Sequence, residues 1–226
     1  MQEINKPLKI AIVGGTGKEG KGLAYRWVKA GYQVIIGSRE PMKAIKTANE
    51  IKNIINQSRI IGMANNEAVK DSQVVVLTVP YSVHKETIES LKDSLFGKLI
   101  IDVTVPLMPP NITKVQMPAA GSAAQEANLI LGTTVQLAAA FHNISYENLI
   151  NDTIKCDCDV LVTGTTKEAR QTTLLLVKDA GFHGWDAGPI ENSIVLEGLT
   201  SILIGINRLY GSTHAGICIT GIERTD

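Results

Sequence analysis

At 226 residues, 44% hydrophobic but only 4% aromatic, the chain can bury one good core, or a main domain with a small appendage. Lysine plus arginine equals aspartate plus glutamate at 22 each, which argues against a nucleic-acid surface or an anionic membrane and leaves small molecules or copies of the same chain as partners. No uninterrupted apolar run approaches the roughly 18 residues of a membrane helix. Three cysteines (Cys156, Cys158 and Cys218), with no charged and then apolar leader before the first strand, point to a reducing, cytoplasmic setting. The Cys156-Asp157-Cys158 pair has no second ligand pair nearby and reads as a strand edge rather than a metal site.

Along the chain, short β-rich apolar runs alternate with helical patterns. The runs at Leu8–Val13, Val34–Ile36, Ile60–Met63, Val74–Val79 and Leu99–Val103 are too continuously apolar for strands with one wet face, so they predict buried parallel strands. Between them, Gly17–Ala30 carries Leu23, Ala24, Trp27 and Val28 at helical spacing, and Pro41–Ile55 carries Ala44, Ile45, Ala48 and Ile51. Such alternation predicts an α/β fold, a Rossmann-type doubly wound and mostly parallel sheet in the order 3-2-1-4-5 with additions. Pro106, Pro109, Pro110 and Pro118 mark a long connection, after which Ser122-x-x-Gln125 opens a helix with a capping box. Further strands are expected at Thr134–Phe141, Asp159–Thr163 and Gly184–Asp186, and a helix over Thr166–Asp179 that ends at Gly181. Last comes Asn192–Leu209, with a broad apolar face (Ile194, Val195, Leu199, Ile202, Leu203, Ile206) fit for the main domain or a twin subunit; it suggests a homodimer. The division implied is a nucleotide-binding domain over 1–141 and a smaller C-terminal α/β part over 142–226 for substrate binding and oligomerisation.

The glycines Gly15-x-Gly17-x-x-Gly20 follow a buried strand and open a helix in a βαβ unit, the setting that a dinucleotide fingerprint requires. Gly15 is expected to permit the tight turn, Gly17 to let a diphosphate approach the backbone, and Gly20 to bring the helix close to the strand, with the helix N-terminal amides facing the anion. The second strand ends in Gly37-Ser38-Arg39, without the carboxylate that would bind the ribose 2′-hydroxyl of NAD. Ser38 can donate a hydrogen bond, Arg39 can bind a 2′-phosphate while covering the adenine, and Lys43 adds charge one turn later, so NADP is favoured over NAD.

The fourth strand ends in Thr78-Val79-Pro80-Tyr81 and the fifth in Asp102-Val103-Thr104-Val105-Pro106, and Val79 and Val105 at these carboxyl ends are candidates to pack against a nicotinamide. Of the four histidines, His84, His183 and His214 lack a carboxylate at a telling spacing and read as surface or loop residues. His142 instead follows an apolar run at the same sheet edge as the cofactor. No catalytic triad, paired-carboxylate motif, Walker loop or zinc spacing is present, so hydrolysis and phosphoryl transfer lack support. Chemistry carried by a cofactor, needing no side-chain acid or base, fits instead.

The segments "IAIVGGTGKEGKGLAYRW", "VIIGSREPMKA", "VVVLTVPY", "SAAQE", "AAAFHNIS" and "DAGPIENSIVLEGLTSILIGINRLYG", spanning about residues 8 to 216, resemble the NADPH-dependent reductases of coenzyme F420 (deazaflavin:NADP oxidoreductases). That resemblance implies direct hydride transfer between NADP(H) and the 5-deazaflavin of coenzyme F420. It implies that Thr16, Gly17, Lys18 and Glu19 contact the diphosphate, that Ser38, Arg39 and Lys43 hold the 2′-phosphate, and that Val79 and Val105 line the nicotinamide. It also implies that His142 orients the second substrate in a deazaflavin pocket shared with Ser145. The family often reads His-Thr-Ile-Pro where this chain has His142-Asn143-Ile144-Ser145, and commonly has Trp at the position of Tyr81. These departures bear on the second substrate. On the residues alone two other readings stay open: an NADPH-dependent reductase of an imine or small keto acid, with His142 as proton donor, and a non-catalytic NADP-binding redox sensor.

Overall fold

The computed structural model describes residues 8–151 and 157–224. The first half alternates strand and helix: β1 (Lys9–Val13), α1 (Lys18–Lys29), β2 (Gln33–Ser38), α2 (Pro41–Ile55), β3 (Ile60–Ala64), α3 (Asn65–Lys70), β4 (Val74–Leu77), α4 (His84–Leu95) and β5 (Leu99–Asp102). After a long irregular connection come α5 (Ala123–Leu131), β6 (Gln136–Ala139), α6 (Tyr146–Ile150), β7 (Asp159–Gly164), α7 (Lys167–Asp179), β8 (His183–Pro189) and α8 (Ser193–Tyr210).

All eight strands join one sheet in the order β3-β2-β1-β4-β5-β6-β7-β8. The expected 3-2-1-4-5 order is therefore its first five positions. Pairing is parallel from β3 to β6, antiparallel between β6 and β7, and parallel again between β7 and β8. Helices cover both faces, which is why β1, β4 and β5 are apolar between Lys9 at the start of β1 and Asp102 at the end of β5: on one face Ile10, Ile12, Val76 and Ile101 pack against Leu23 and Trp27, and on the other Val75, Leu77 and Ile100 pack against Ile88, Leu91 and Ala127. The Trp27 indole donates to the Leu176 carbonyl at 2.9 Å, tying α1 to α7 across the two halves of the chain.

The register aligns Val13, Gly37, Leu77, Asp102 and Ala139 in one row across five parallel strands. Whatever follows each of them emerges at the same C-terminal edge, and the candidate site lies there. β6 is shorter than the expected Thr134–Phe141 because residues 132–134 form a 3₁₀ turn and Phe141 adopts φ 68. A left-handed phenylalanine is an outlier that packing must hold. Phe141 stands edge-on to Trp27 (5.9 Å) and Phe182 (6.5 Å), and the turn it makes carries His142 over the sheet edge.

The helix expected at Ser122 begins there, with Ser122 Oγ accepting from Gln125 N at 3.0 Å. Glu197 of α8 takes the next two amides, Ala123 N at 2.7 Å and Ala124 N at 3.0 Å. Thr166 caps α7 in the same way, accepting from Ala169 N at 3.1 Å. Sequence periodicity passed over three short or polar helices, α3, α4 and α6. Cys156, half of the cysteine pair noted above, lies outside the described residues. Among the described residues, no helix is long and apolar enough to cross a membrane.

Candidate functional site

A cleft of about 560 Å³ runs along the C-terminal strand edge, from the β1–α1 loop and the end of β2, past the ends of β4 and β5, to the turn after β6. The glycine loop forms its floor. The left-handed residue of the turn is Gly14 (φ 75), not the expected Gly15. Gly15 is glycine for closeness: a Cβ there would lie 2.8 Å from the Ile12 carbonyl oxygen, and its N–H donates to Gly37 O at 3.1 Å. At Gly20 a Cβ would fall 2.6 Å from Gly15 Cα and 2.8 Å from Thr78 Oγ1, so the helix can touch the loop only without a side chain. Gly17 faces open space, with nothing nearer than 3.5 Å to an added Cβ. As N-cap of α1 with no side-chain cap bond, it leaves the first-turn amides for a ligand.

Thr16, Gly17, Lys18, Glu19, Ser38, Arg39, Lys43, Val79, Val105 and His142 all line the cleft, whereas Gly15 and Gly20 sit behind its wall. Ser38 Oγ accepts from Glu40 N at 3.1 Å, which leaves its proton to donate. Lys43 Nζ lies 2.7 Å from Glu40 Oε1, and Glu40 lines the cleft too. The strand end itself carries no carboxylate, but the first residue past Arg39 restores one to the same wall, a position that the Gly37-Ser38-Arg39 reading overlooked.

His142 is buried, and neither ring nitrogen has a hydrogen-bond partner. Burial pushes it down to about 4, against the pull of the nearby Asp102 charge, so the imidazole is neutral at pH 7. Thr200 of α8 donates to its carbonyl at 2.6 Å and fixes the turn. His142 also faces an adjoining cavity of about 130 Å³, lined by Ser145, Leu203 and Asn207 among others. Ser145 borders only that second space, and its hydroxyl caps α6, accepting from Glu147 N at 3.4 Å. In the β1–α1 loop, burial raises the Glu19 carboxyl to about 8, and its Oε1 has no partner.

Buried polar atoms are normally hydrogen-bonded. Among the described residues, four buried side-chain polar atoms without a hydrogen-bond partner belong to residues of this one cleft: Glu19 Oε1, Asn65 Oδ1 and both His142 ring nitrogens. Donors and acceptors left over in one place fit a polar ligand that completes them.

His84 corrects the sequence reading most sharply. It is fully buried, with Nε2 2.7 Å from Asp102 Oδ2 and Nδ1 4.0 Å from Glu126 Oε2. Desolvation lowers its pKa, but the charge and hydrogen bond of Asp102, helped by the charge of Glu126, outweigh that and leave it raised. Asp102 Oδ1 accepts from Thr104 N at 3.0 Å, so the pair fixes the segment carrying Val103, Thr104 and Val105 into the cleft wall. Tyr81 stacks on His84 with ring centroids 6.3 Å apart, and burial together with the Glu126 charge raises its phenol; it does not line the cleft. The available signal was chemical: a carboxylate ending the buried run Leu99–Asp102 needs a partner, and the helix after the neighbouring strand opens with histidine. His214 does approach a carboxylate, Glu147 at 3.6 Å, at an exposed position, while His183 packs on the Trp185 ring.

A family model described as NADP oxidoreductase coenzyme F420-dependent matches residues 9–106. The chain is 37% identical over 224 residues to an F420-dependent NADP reductase of Methanocaldococcus jannaschii, covering 96% of this chain and all of that one. It is 35% identical over 222 residues to the F420-dependent NADP reductase of Methanothermobacter marburgensis, covering 95% and 99%. Among solved structures it is similar to an Arthrobacter sp. FB24 protein assigned provisionally as an F420-dependent NADP reductase, with a TM-score of 0.80, 20% identity, and coverage of 94% and 99%; at that identity the likeness shows the fold.

Proposed function

The chain belongs to the family of F420-dependent NADP reductases, and on that premise we propose that its cleft binds NADP(H) and coenzyme F420 together for direct hydride transfer between them. The observation that carries this reading is the set of four orphaned polar atoms in one cleft, with the glycine floor between cationic and apolar ends. When both are bound, the nicotinamide and the deazaflavin supply the hydride chemistry.

The protein's own residues bind, orient and exclude water. Amides of the Thr16–Glu19 turn hold the diphosphate. A Glu19 carboxyl that keeps its proton at neutral pH donates to it instead of repelling it. Ser38 donates to the 2′-phosphate, Arg39 meets it with a planar fork, and Lys43 adds a point charge. Val79 and Val105 present apolar surface where the rings must lie, which keeps water from the transferring hydride. His142, neutral and unpartnered, hydrogen-bonds a polar atom of the second ring, with Ser145 in the adjoining space. No side chain acts as acid or base on carbon.

In this reading residues 1–141 bind NADP, and 142–226 shape the second-substrate end and the subunit contact. We assign the working form as a cytoplasmic homo-oligomer. Ile194, Val195, Ile202, Ile206 and Leu209 of α8 are exposed and suit a twin subunit, and the cysteine content suits a reducing compartment.

The test is turnover of NADPH with oxidised F420, followed by loss of the deazaflavin absorbance, in wild type and Arg39→Ala. A charge-assisted hydrogen bond contributes about 1.5–3 kcal/mol, so KM for NADPH should rise about 10- to 100-fold while that for NADH barely moves. Equal changes for the two nucleotides would overturn the phosphate assignment. Absence of any turnover with F420 would overturn the substrate assignment.

A further inference from the structure

We propose that Glu40 is a specificity-determining residue of the nucleotide site, one that weakens the preference for NADP over NAD by holding Lys43 and by offering an acceptor to a free ribose 2′-hydroxyl. The proposal rests on the reading of Ser38, Arg39 and Lys43 as the 2′-phosphate pocket.

Glu40 is fixed in place by its backbone. Its N–H donates to Ser38 Oγ at 3.1 Å, and its carbonyl accepts from Lys43 N at 3.0 Å and Ala44 N at 3.3 Å. As N-cap of α2, followed by Pro41, it makes no side-chain cap bond, so its carboxylate is not occupied in starting the helix. The carboxylate instead pairs with Lys43 Nζ at 2.7 Å, and both residues line the cleft with Ser38 and Arg39.

That arrangement has opposite consequences for the two nucleotides. A phosphate monoester carries about −1.5 to −2 charges at pH 7. To reach it, Lys43 must leave Glu40 or share its ammonium with it, and in either case the carboxylate stays beside the anion as a like charge. With Arg39 and Lys43 positive and Glu40 negative, the three side chains present a net charge of +1 where the two cations alone would present +2. A free 2′-hydroxyl gains from the same carboxylate, which accepts its proton as acidic residues near this strand end do in NAD-binding folds. Lys43 then keeps its partner. The pair is two-thirds exposed, so the effect is moderate and screened by salt.

The experiment measures dissociation constants for NADP+ and NAD+ by calorimetry at low ionic strength, in wild type, Glu40→Gln and Arg39→Ala. Glutamine keeps the shape and leaves the backbone bonds of the cap untouched. Glu40→Gln should tighten NADP+ about 3- to 10-fold and leave NAD+ unchanged or up to about 3-fold weaker, raising the NAD+/NADP+ ratio of constants at least threefold. A ratio that rises by less than threefold, or that falls, overturns the proposal. Arg39→Ala separates the two readings. If it collapses the ratio while Glu40→Gln leaves it alone, only the role of Glu40 fails. If Arg39→Ala also leaves the ratio alone, the 2′-phosphate pocket itself is misplaced and both fail.

Discussion

Replacing Asp102 by asparagine tests whether the buried pair with His84 holds the cleft wall. The two side chains meet at 2.7 Å with no exposure, and Asp102 also accepts the Thr104 amide that sets Val103–Val105. Asparagine keeps the volume but has one oxygen for two donors and no charge for a histidine whose pKa its neighbours have raised. Breaking a buried pair from one side costs about 3–5 kcal/mol. In a chain of this size each kcal/mol lowers Tm by about 2–4 °C, so a fall of about 10 °C is expected. The loss should depend on pH in a definite direction. His84 has a folded pKa above 6.5, so the stability it contributes is complete below that value and is lost as pH rises through the folded pKa. Burial works against ionised Asp102, but His84 and the Thr104 amide prevail and hold its folded pKa below 3.8; its contribution is present above that value and is lost as pH falls through the folded pKa. The wild type should therefore exceed the variant most between pH 3.8 and 6.5, with the gap narrowing at alkaline pH. Thermal melts followed by circular dichroism at about pH 6 and about pH 9 measure it. A Tm loss below about 2 °C at about pH 6, or a loss that grows between about pH 6 and about pH 9, would refute the reasoning.

Two further changes probe the frame of the site. Gly20→Ala places a methyl 2.6 Å from Gly15 Cα, so it should lower stability by about 1–3 kcal/mol and weaken NADP+ binding at least tenfold; calorimetry showing wild-type affinity would contradict the loop–helix contact as the reason for that glycine. Burial raises Glu197 to about 8 despite two amide donors, so its protonated form stabilises the fold fully below pH 4.5, and that contribution is lost as pH rises through 8. In urea titrations the wild type should lose about 2–3 kcal/mol between pH 6 and pH 8 that Glu197→Gln does not lose, and parallel slopes would refute the assignment.

The Rossmann-type half was legible because its signals are local and strong. Each run from Leu8 to Val103 is apolar on both faces, which a parallel sheet between two helix layers demands. Gly15 and Gly20 stand where close contacts leave no room for a Cβ. What escaped was carried by polar helices and by contacts between distant segments. Helix α4 opens on His84, whose partner lies 18 residues on, at the end of the neighbouring strand. No period in the sequence links the two; only the parallel pairing of β4 with β5 does. The left-handed Phe141 was likewise invisible, because aromatic packing on Trp27 and Phe182 overrides a backbone preference that residue type alone would forbid.

Cofactor choice shows the same limit on a finer scale. Reading the last residues of β2 as the deciding position is sound when the side chain that meets the ribose belongs to the strand. Here the strand hands over to α2 through Glu40, whose amide is caught by Ser38 and whose carboxylate turns onto Lys43. The residue two past the strand end thus comes back to the same wall as the strand end itself. On the proposed reading, discrimination between a phosphate and a hydroxyl depends on the charge balance of the strand end and the first helical turn together, where one carboxylate among Arg39 and Lys43 changes that balance from +2 to +1.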